Sequence, residues 1–445
     1  MQPSLRRNLI AGGAWVVLGK TATAASSLIV RAMLARLLSE EAFGVFAKAF
    51  TLVMLGALLS QLGLHQAVVR MVAEAMGTGR VARARAVVTF VYRNALFGVA
   101  GVIALLLLGP GEWLVRGLWH SDLLAASMGA VSAWLGFKSF EVITSETFRG
   151  FKDLRFAALF GGALSGLLNA GVLLVLWRTR GEAELDLVIR LVAAATAISV
   201  FCGLVALRIK VGRLERGGNV AAAEVHSIAR PLWLNGMVVQ LQNQSDIWVL
   251  GAVIADEQLA VYSAAAYVVA MVSQSLILVN LVVPPFIADL YARGEHARLE
   301  RVLRTTATLA GLPALLVLAA FILFGGPILG TIYTEYYAAG ATVLALLSVG
   351  KLVNVLTGSC GVTMAMTGHQ TALLRITLVT TLLTVVGNLL VVRPYGLTGV
   401  AAVVCAGTVL QNIAMWAETR RVTGMWTHMA LPSVAAVREL FRRRG

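Results

Sequence analysis

The feature that most limits what this chain can fold into is its succession of apolar runs of bilayer length. They lie near residues 9–34, 43–63, 87–109, 123–146, 157–177, 187–207, 231–254, 259–283, 305–325, 340–363, 371–392 and 398–417. A helix needs about 20 apolar residues to cross the hydrocarbon of a membrane, so twelve crossings are expected. Breaker residues stand at the run ends: Gly109-Pro110-Gly111, Gly181-Glu182, Arg230-Pro231, Pro284-Pro285, Gly325-Gly326-Pro327 and Arg393-Pro394. The composition agrees, with 58% hydrophobic and 13% charged residues and a mean hydropathy of +0.82. A soluble domain carries about 25% charged residues, so soluble, disordered and collagen-like readings are excluded. The first run follows Leu5-Arg6-Arg7-Asn8 and is too long for a signal-peptide core, which makes it a retained first helix.

The net charge of +15 is explained by position. If the N-terminus is cytoplasmic, 25 of the 37 Lys and Arg residues fall in inside segments, 7 at outside ends and 5 within spans. That alternation, loop by loop, places both termini in the cytoplasm and supports an even number of spans. No basic, aromatic-rich soluble module is present, so nucleic acid is not an expected partner. Ser39-Glu40-Glu41-Ala42-Phe43-Gly44-Val45-Phe46-Ala47 recurs as Ala255-Asp256-Glu257-Gln258-Leu259-Ala260-Val261-Tyr262-Ser263, an offset of 216 residues. Two parallel six-span repeats follow. The expected fold is an all-α polytopic membrane protein of about twelve transmembrane helices in two six-helix bundles around a central cavity. Its parts are an N-terminal bundle over 1–210, a cytoplasmic linker over 211–230, a C-terminal bundle over 231–420 and a basic cytoplasmic tail over 421–445.

Several motifs carry a family likeness. Ala35-Arg36-Leu37-Leu38-Ser39-Glu40-Glu41-Ala42-Phe43-Gly44-Val45-Phe46, then Gln61-Leu62-Gly63-Leu64-His65-Gln66-Ala67-Val68-Val69-Arg70, Arg149-Gly150, Ser245-Asp246, Val261-Tyr262-Ser263-Ala264-Ala265, Tyr333-Thr334-Glu335-Tyr336, Thr367-Gly368 and Tyr395-Gly396-Leu397-Thr398-Gly399 follow in order. Together they resemble the polysaccharide transporter (Wzx-type oligosaccharide flippase) family of the multidrug/oligosaccharidyl-lipid/polysaccharide exporter superfamily. The resemblance covers nearly the whole chain and implies a fold like that of the drug exporters and of MurJ. It also implies a bacterial inner-membrane protein moving undecaprenyl-diphosphate-linked oligosaccharide to the outer leaflet for O-antigen, capsule or exopolysaccharide. The implied partners are the lipid-linked oligosaccharide, a polysaccharide polymerase and chain-length machinery. Some relatives have fourteen spans, and no room for two more exists after Trp416.

Charged groups at membrane depth cost at least about 2.5 kcal/mol each, so they are functional candidates by default. Lys20 and Lys351 each sit about 16 Å into a span, near the midplane. An anionic headgroup needs cations along its path, and Lys20, Arg31, Arg93, Lys138 and Lys351 fit that demand. Lys138 and Glu141 lie three apart on one helix face and could also neutralise each other. Arg31 has the alternative of anchoring the outer interface, and Lys48, early in the second span, is expected to snorkel to the surface. The seventh span is the most polar: Asn235, Gln242 and Asp246 form one stripe, suited to sugar hydroxyls or to helix–helix hydrogen bonds. On the tenth span Lys351, Asn354 and Gly358 share a face. Asp246 and Glu141 are the candidates for coupling to an ion gradient.

Cys202, Cys360 and Cys405 have neither pairing nor metal spacing and are expected in the core, and the six histidines form no cluster, so neither metal nor cofactor is expected. Gly12-Gly13, Gly161-Gly162 and Gly98 with Gly101 suit close helix packing, since no phosphate-loop pattern exists to use ATP. Trp113, Trp119, Trp177 and Trp426 read as interfacial anchors. The basic tail suits the anionic phospholipid of the cytoplasmic face. A drug antiporter of the same superfamily is the alternative function; it exports cations and would line its cavity with carboxylates. An enzyme would need a soluble catalytic domain or a large outer loop, and neither is present.

Overall fold

The computed structural model describes residues 3–430, with side chains from residue 18 onward except 273–282, 285, 286, 288 and 310. The packing expected of Gly12-Gly13 and the basic residues of 431–445 therefore lie outside the described residues. Every described element is helical. In the first part of the chain the longer ones are α1 (Pro3–Leu37), α2 (Glu40–Gln61), α3 (Leu64–Gly77), α4 (Val81–Leu107), α5 (Met128–Gly150), α6 (Leu154–Arg180), α7 (Leu185–Gly212) and α8 (Ala222–Val253). Then come α9 (Asp256–Val282), α10 (Pro284–Ala292), α11 (His296–Ile332), α12 (Ala341–Thr357), α13 (Cys360–Met366) and α14 (Gln370–Thr423). Among the described residues, seven helices are long and apolar enough to cross a membrane by length and composition alone. α5 and α8 are long enough but too polar to be among them, and both carry candidate site residues. Each of the twelve apolar runs lies mostly on these helices, the fourth starting before α5 in a short helix over Asp122–Ala126. The chain divides into two compact units, Met1–Ala260 and Val261–Gly445.

Local chemistry explains the element ends. Ser39 caps α2 by accepting a hydrogen bond from the Ala42 amide at 3.2 Å, with Glu40 and Glu41 in the first turn where the helix dipole favours anions. The repeated segment 255–263 again begins a helix, with Asp256 and Glu257 in its first turn. The second run was expected to continue to residue 63; α2 stops at Gln61 because Leu62 and Gly63 both adopt positive φ. In the first unit α3, α4, α5 and α8 share a core around Val68, Val72, Val87, Val91, Phe148 and Val225. Gly98 sets α4 on α2: a Cβ there would lie 2.1 Å from the Ser60 carbonyl oxygen. Gly101, by contrast, faces open space.

In the second unit α14 would be about 81 Å long if straight, far beyond one crossing. It is instead two crossings folded back on each other. Gly396, at φ +54 and ψ −142, breaks the helix beside Pro394, and Gly387 packs on Val403 while Gly407 packs on Thr384. The tenth run was expected to continue to residue 363, but α12 ends at Thr357 because Gly358 turns with φ +70. The segment after α14 runs back into this unit: Thr427 Oγ1 donates to the Thr357 carbonyl at 2.8 Å, the Met429 amide to Leu356 at 3.0 Å, and Thr308 exchanges hydrogen bonds with Ala430. Met425 and Met429 each enter an apolar cluster.

Candidate functional site

The first unit holds a cavity of about 240 Å³ lined from α1, α2, α5, α6 and α7. Its shape starts in α6, where Gly162 takes φ +115 and Leu159–Ala163 forms a wide helical turn; only glycine adopts that backbone cheaply. The kink leaves Gly166 against Ser26, with room for no Cβ, so α1 and α6 meet closely at the cavity floor. Trp134 forms one wall with Phe46 and Phe50, ring centroids 5.6 and 6.0 Å away.

Three of the residues singled out from sequence meet here. Lys138 Nζ pairs with Glu141, whose other carboxylate oxygen accepts a hydrogen bond from Ser165 on α6. Glu141 is 2% exposed and Lys138 26%, so the carboxylate is buried behind the ammonium that lines the cavity. Arg31 enters from α1, its guanidinium 5.1 Å from the Phe50 ring centroid. Asn169, also lining, has a buried Oδ1 with no hydrogen-bond partner among the described residues. The cavity thus presents two cations, one internally bonded carboxylate, an open acceptor and an aromatic wall. It falls below the ~300–1,000 Å³ of drug-sized sites, so it suits one charged headgroup or ion and not a whole oligosaccharide.

The other candidates lie elsewhere. Lys20 is exposed on α1 within electrostatic reach of Glu146, Arg149 and Lys138, and Arg149 pairs with Glu146 at 2.9 Å. Arg93 is exposed on α4 outside the cavity, over the Phe90 ring. On α8 Asn235 is exposed while Gln242 and Asp246 are half-buried; Asp246 Oδ1 accepts from the Ile247 amide at 2.8 Å. In the second unit Lys351 is half-buried on α12, and Asn354 donates to Asn412 of α14 at 2.7 Å.

Several expectations need correction. Lys48 does not snorkel: it is 1% exposed, forms an ion pair with Asp256 at 2.6 Å and donates to the Trp119 carbonyl at 3.1 Å. Trp119 is likewise buried, 4.8 Å from the Trp248 ring, and is no interfacial anchor. Of the cysteines, Cys360 is buried but Cys202 is exposed on α7. Glu146, Trp134, Ser165 and Asn169 were not singled out from sequence; only Glu146 left a signal, eight residues beyond Lys138 on the same helix.

The fold is that of the multidrug/oligosaccharidyl-lipid/polysaccharide exporter superfamily, and the chain is a multi-pass membrane protein. A multidrug resistance MATE family transporter of that superfamily, in an inward-facing conformation, matches with TM-score 0.75 at 16% identity, over 93% of this chain and 98% of that one. The lipid II flippase MurJ, in an inward closed conformation, matches with TM-score 0.67 at 12% identity, over 91% and 87%. A superfamily transporter from Pyrococcus furiosus, described as having a binding pocket of reversed polarity that suggests a different function, matches with TM-score 0.62 at 16% identity, over 94% and 95%. The family described as polysaccharide biosynthesis protein matches residues 33–342, and the chain belongs to that family. No curated relative matches it in sequence.

Proposed function

We propose that this protein is a flippase that carries undecaprenyl-diphosphate-linked oligosaccharide repeat units from the cytoplasmic to the outer leaflet of a bacterial inner membrane, with both termini cytoplasmic. The observation that carries the reading is the sign of the cavity in the first unit: Arg31 and Lys138 outnumber Glu141, and the family is one of polysaccharide biosynthesis. A diphosphate headgroup is attracted to such a surface, whereas a cationic drug is repelled. The reversed pocket polarity described for the Pyrococcus furiosus transporter is a precedent for an altered role on this fold. The six-plus-six repeat supports alternating access, and the buried Lys138–Glu141–Ser165 arrangement places a carboxylate beside the cavity as a candidate for coupling to an ion gradient. No catalytic step is assigned to the chain.

The test is to delete the gene and quantify surface polysaccharide together with lipid-linked repeat units on the cytoplasmic face. Loss of polymer with accumulation of inward-facing units is expected. Unchanged polymer with increased sensitivity to cationic drugs would overturn the proposal and move the protein to the drug antiporters.

A further inference from the structure

A second polar site lies on the flank of the first unit, away from the cavity. A groove of about 450 Å³ runs between α4 and the segment joining α7 to α8, and Arg85, Thr89, Arg93, Arg216 and Asn219 line it. Two glycines build it. Gly217 turns with φ +96, and Gly218 lies so close to α4 that a Cβ would stand 2.1 Å from the Ala82 carbonyl oxygen. Arg85 ties the segment down by donating to the Leu214 carbonyl at 2.9 Å. Among the described residues, no carboxylate pairs with Arg85, Arg93 or Arg216, although Glu215 is adjacent in sequence and Glu224 is close enough to bind Arg83. Three guanidinium groups therefore share one groove without a counter-ion among the described residues.

What fills it follows from α4. Arg85, Thr89 and Arg93 are spaced i, i+4 and i+8, and the same face continues through Leu96 and Ala100, with Leu96 58% exposed. A cationic track that passes directly into an exposed apolar track matches a headgroup attached to an acyl chain, and not a free anion. We infer that this groove binds an anionic glycerophospholipid of the leaflet marked by the basic loops, its phosphate held by Arg85, Arg93 and Arg216 and its chain lying along α4. The inference needs only that the chain spans a membrane and does not depend on the cargo.

The test is native mass spectrometry of the full-length protein exchanged from detergent into mixtures of phosphatidylglycerol and phosphatidylcholine. The wild type is expected to retain phosphatidylglycerol selectively, and Arg93→Gln with Arg216→Gln to weaken retention about fivefold per arginine removed. Arg190→Gln, at a residue paired with Asp186 on α7, leaves retention unchanged. Thr89→Glu, a surface change that adds a carboxylate able to pair with Arg85 and Arg93, lowers retention without removing either arginine. Equal retention of both lipids, or retention unaffected by the groove variants, would overturn the inference. Displacement of the phospholipid by millimolar pyrophosphate would assign the groove to a free anion, and displacement by stoichiometric undecaprenyl phosphate would assign it to the cargo; either result overturns the phospholipid.

Discussion

The ion pair between Lys48 and Asp256 lies within the first unit, and its energetics can be worked from its geometry. At 2.6 Å with an effective dielectric constant of about 20, the Coulomb attraction is roughly 6 kcal/mol. Taking two ions out of water offsets much of that, so the pair adds little relative to a well-packed apolar substitute. Removal of one partner is different. Lys48→Met leaves Asp256 as an uncompensated, 14% exposed carboxylate, and Asp256→Asn leaves the almost inaccessible Lys48 ammonium with only the Trp119 carbonyl. Each single change is expected to cost ~3–5 kcal/mol, and the double variant Lys48→Met with Asp256→Asn much less than the sum. Pulse proteolysis of the protein in detergent reads both quantities as a shift in denaturant midpoint. Additive losses in the double variant would refute the reasoning, since they would mean that the two side chains do not interact. Losses below about 1 kcal/mol for the singles would mean that Lys48 reaches water, as an exposed pair would.

Four further outcomes follow from the same structure. Lys138→Met and Glu141→Gln each leave a buried or half-buried partner uncompensated and should lower protein level, but surface polysaccharide per molecule of protein should fall further still; wild-type polymer in a Lys138→Met, Glu141→Leu double variant would reduce the pair to mutual neutralisation. Burial, and then the Arg304 charge, hold the His428 imidazolium below its ordinary pKa of 6.5 against an opposing pull from Glu300. The released segment therefore binds protons more readily than the docked one, so docking is at full strength above pH 6.5 and weakens as the pH falls below it; hydrogen exchange of residues 424–430 at pH 7.5 and 5.5 measures this. Gly358→Ala combines a left-handed backbone with a Cβ 2.3 Å from the Thr427 carbonyl oxygen, and should cost at least ~1–2 kcal/mol and speed exchange in the same segment. Asn354→Leu breaks one interhelical amide contact and should lower stability by only ~0.6 kcal/mol; a larger effect on export than on protein level would give Asn354 a role in transport.

The crossings were legible because a bilayer imposes a length, and because the breakers do their work locally. Arg393-Pro394 marked the end of one run, and the reversal at Gly396 follows from a backbone that only glycine takes easily. Where a run was drawn too long, the missing information was tertiary. Gly358 ends α12 where Thr427, 69 residues later, occupies the space its Cβ would need. The candidate cavity was half legible. Lys138 and Glu141 announce themselves by spacing on one helix, but Ser165, Asn169 and Trp134 are ordinary residues of apolar runs until the Gly162 kink sets them around the same space. Lys48 misled for the opposite reason: a lysine one turn into a span looks like a snorkeler, and the carboxylate that retains it lies 208 residues away.

Size and sign together limit what the cavity contributes to transport. About 240 Å³ is too little for a repeat unit, and the one buried carboxylate beside the cavity is shared between an ammonium and a hydroxyl. If Lys138 is drawn to an anion in the cavity, Glu141 is left with Ser165 alone. That change alters the interactions of α5 with α6 at the kink, where α1 and α6 already meet closely at Gly166. A site that is small, charged and placed at a bend converts a change of charge into a change of helix packing. On the flippase proposed above, that would make it better suited to sensing the headgroup than to enclosing the sugar.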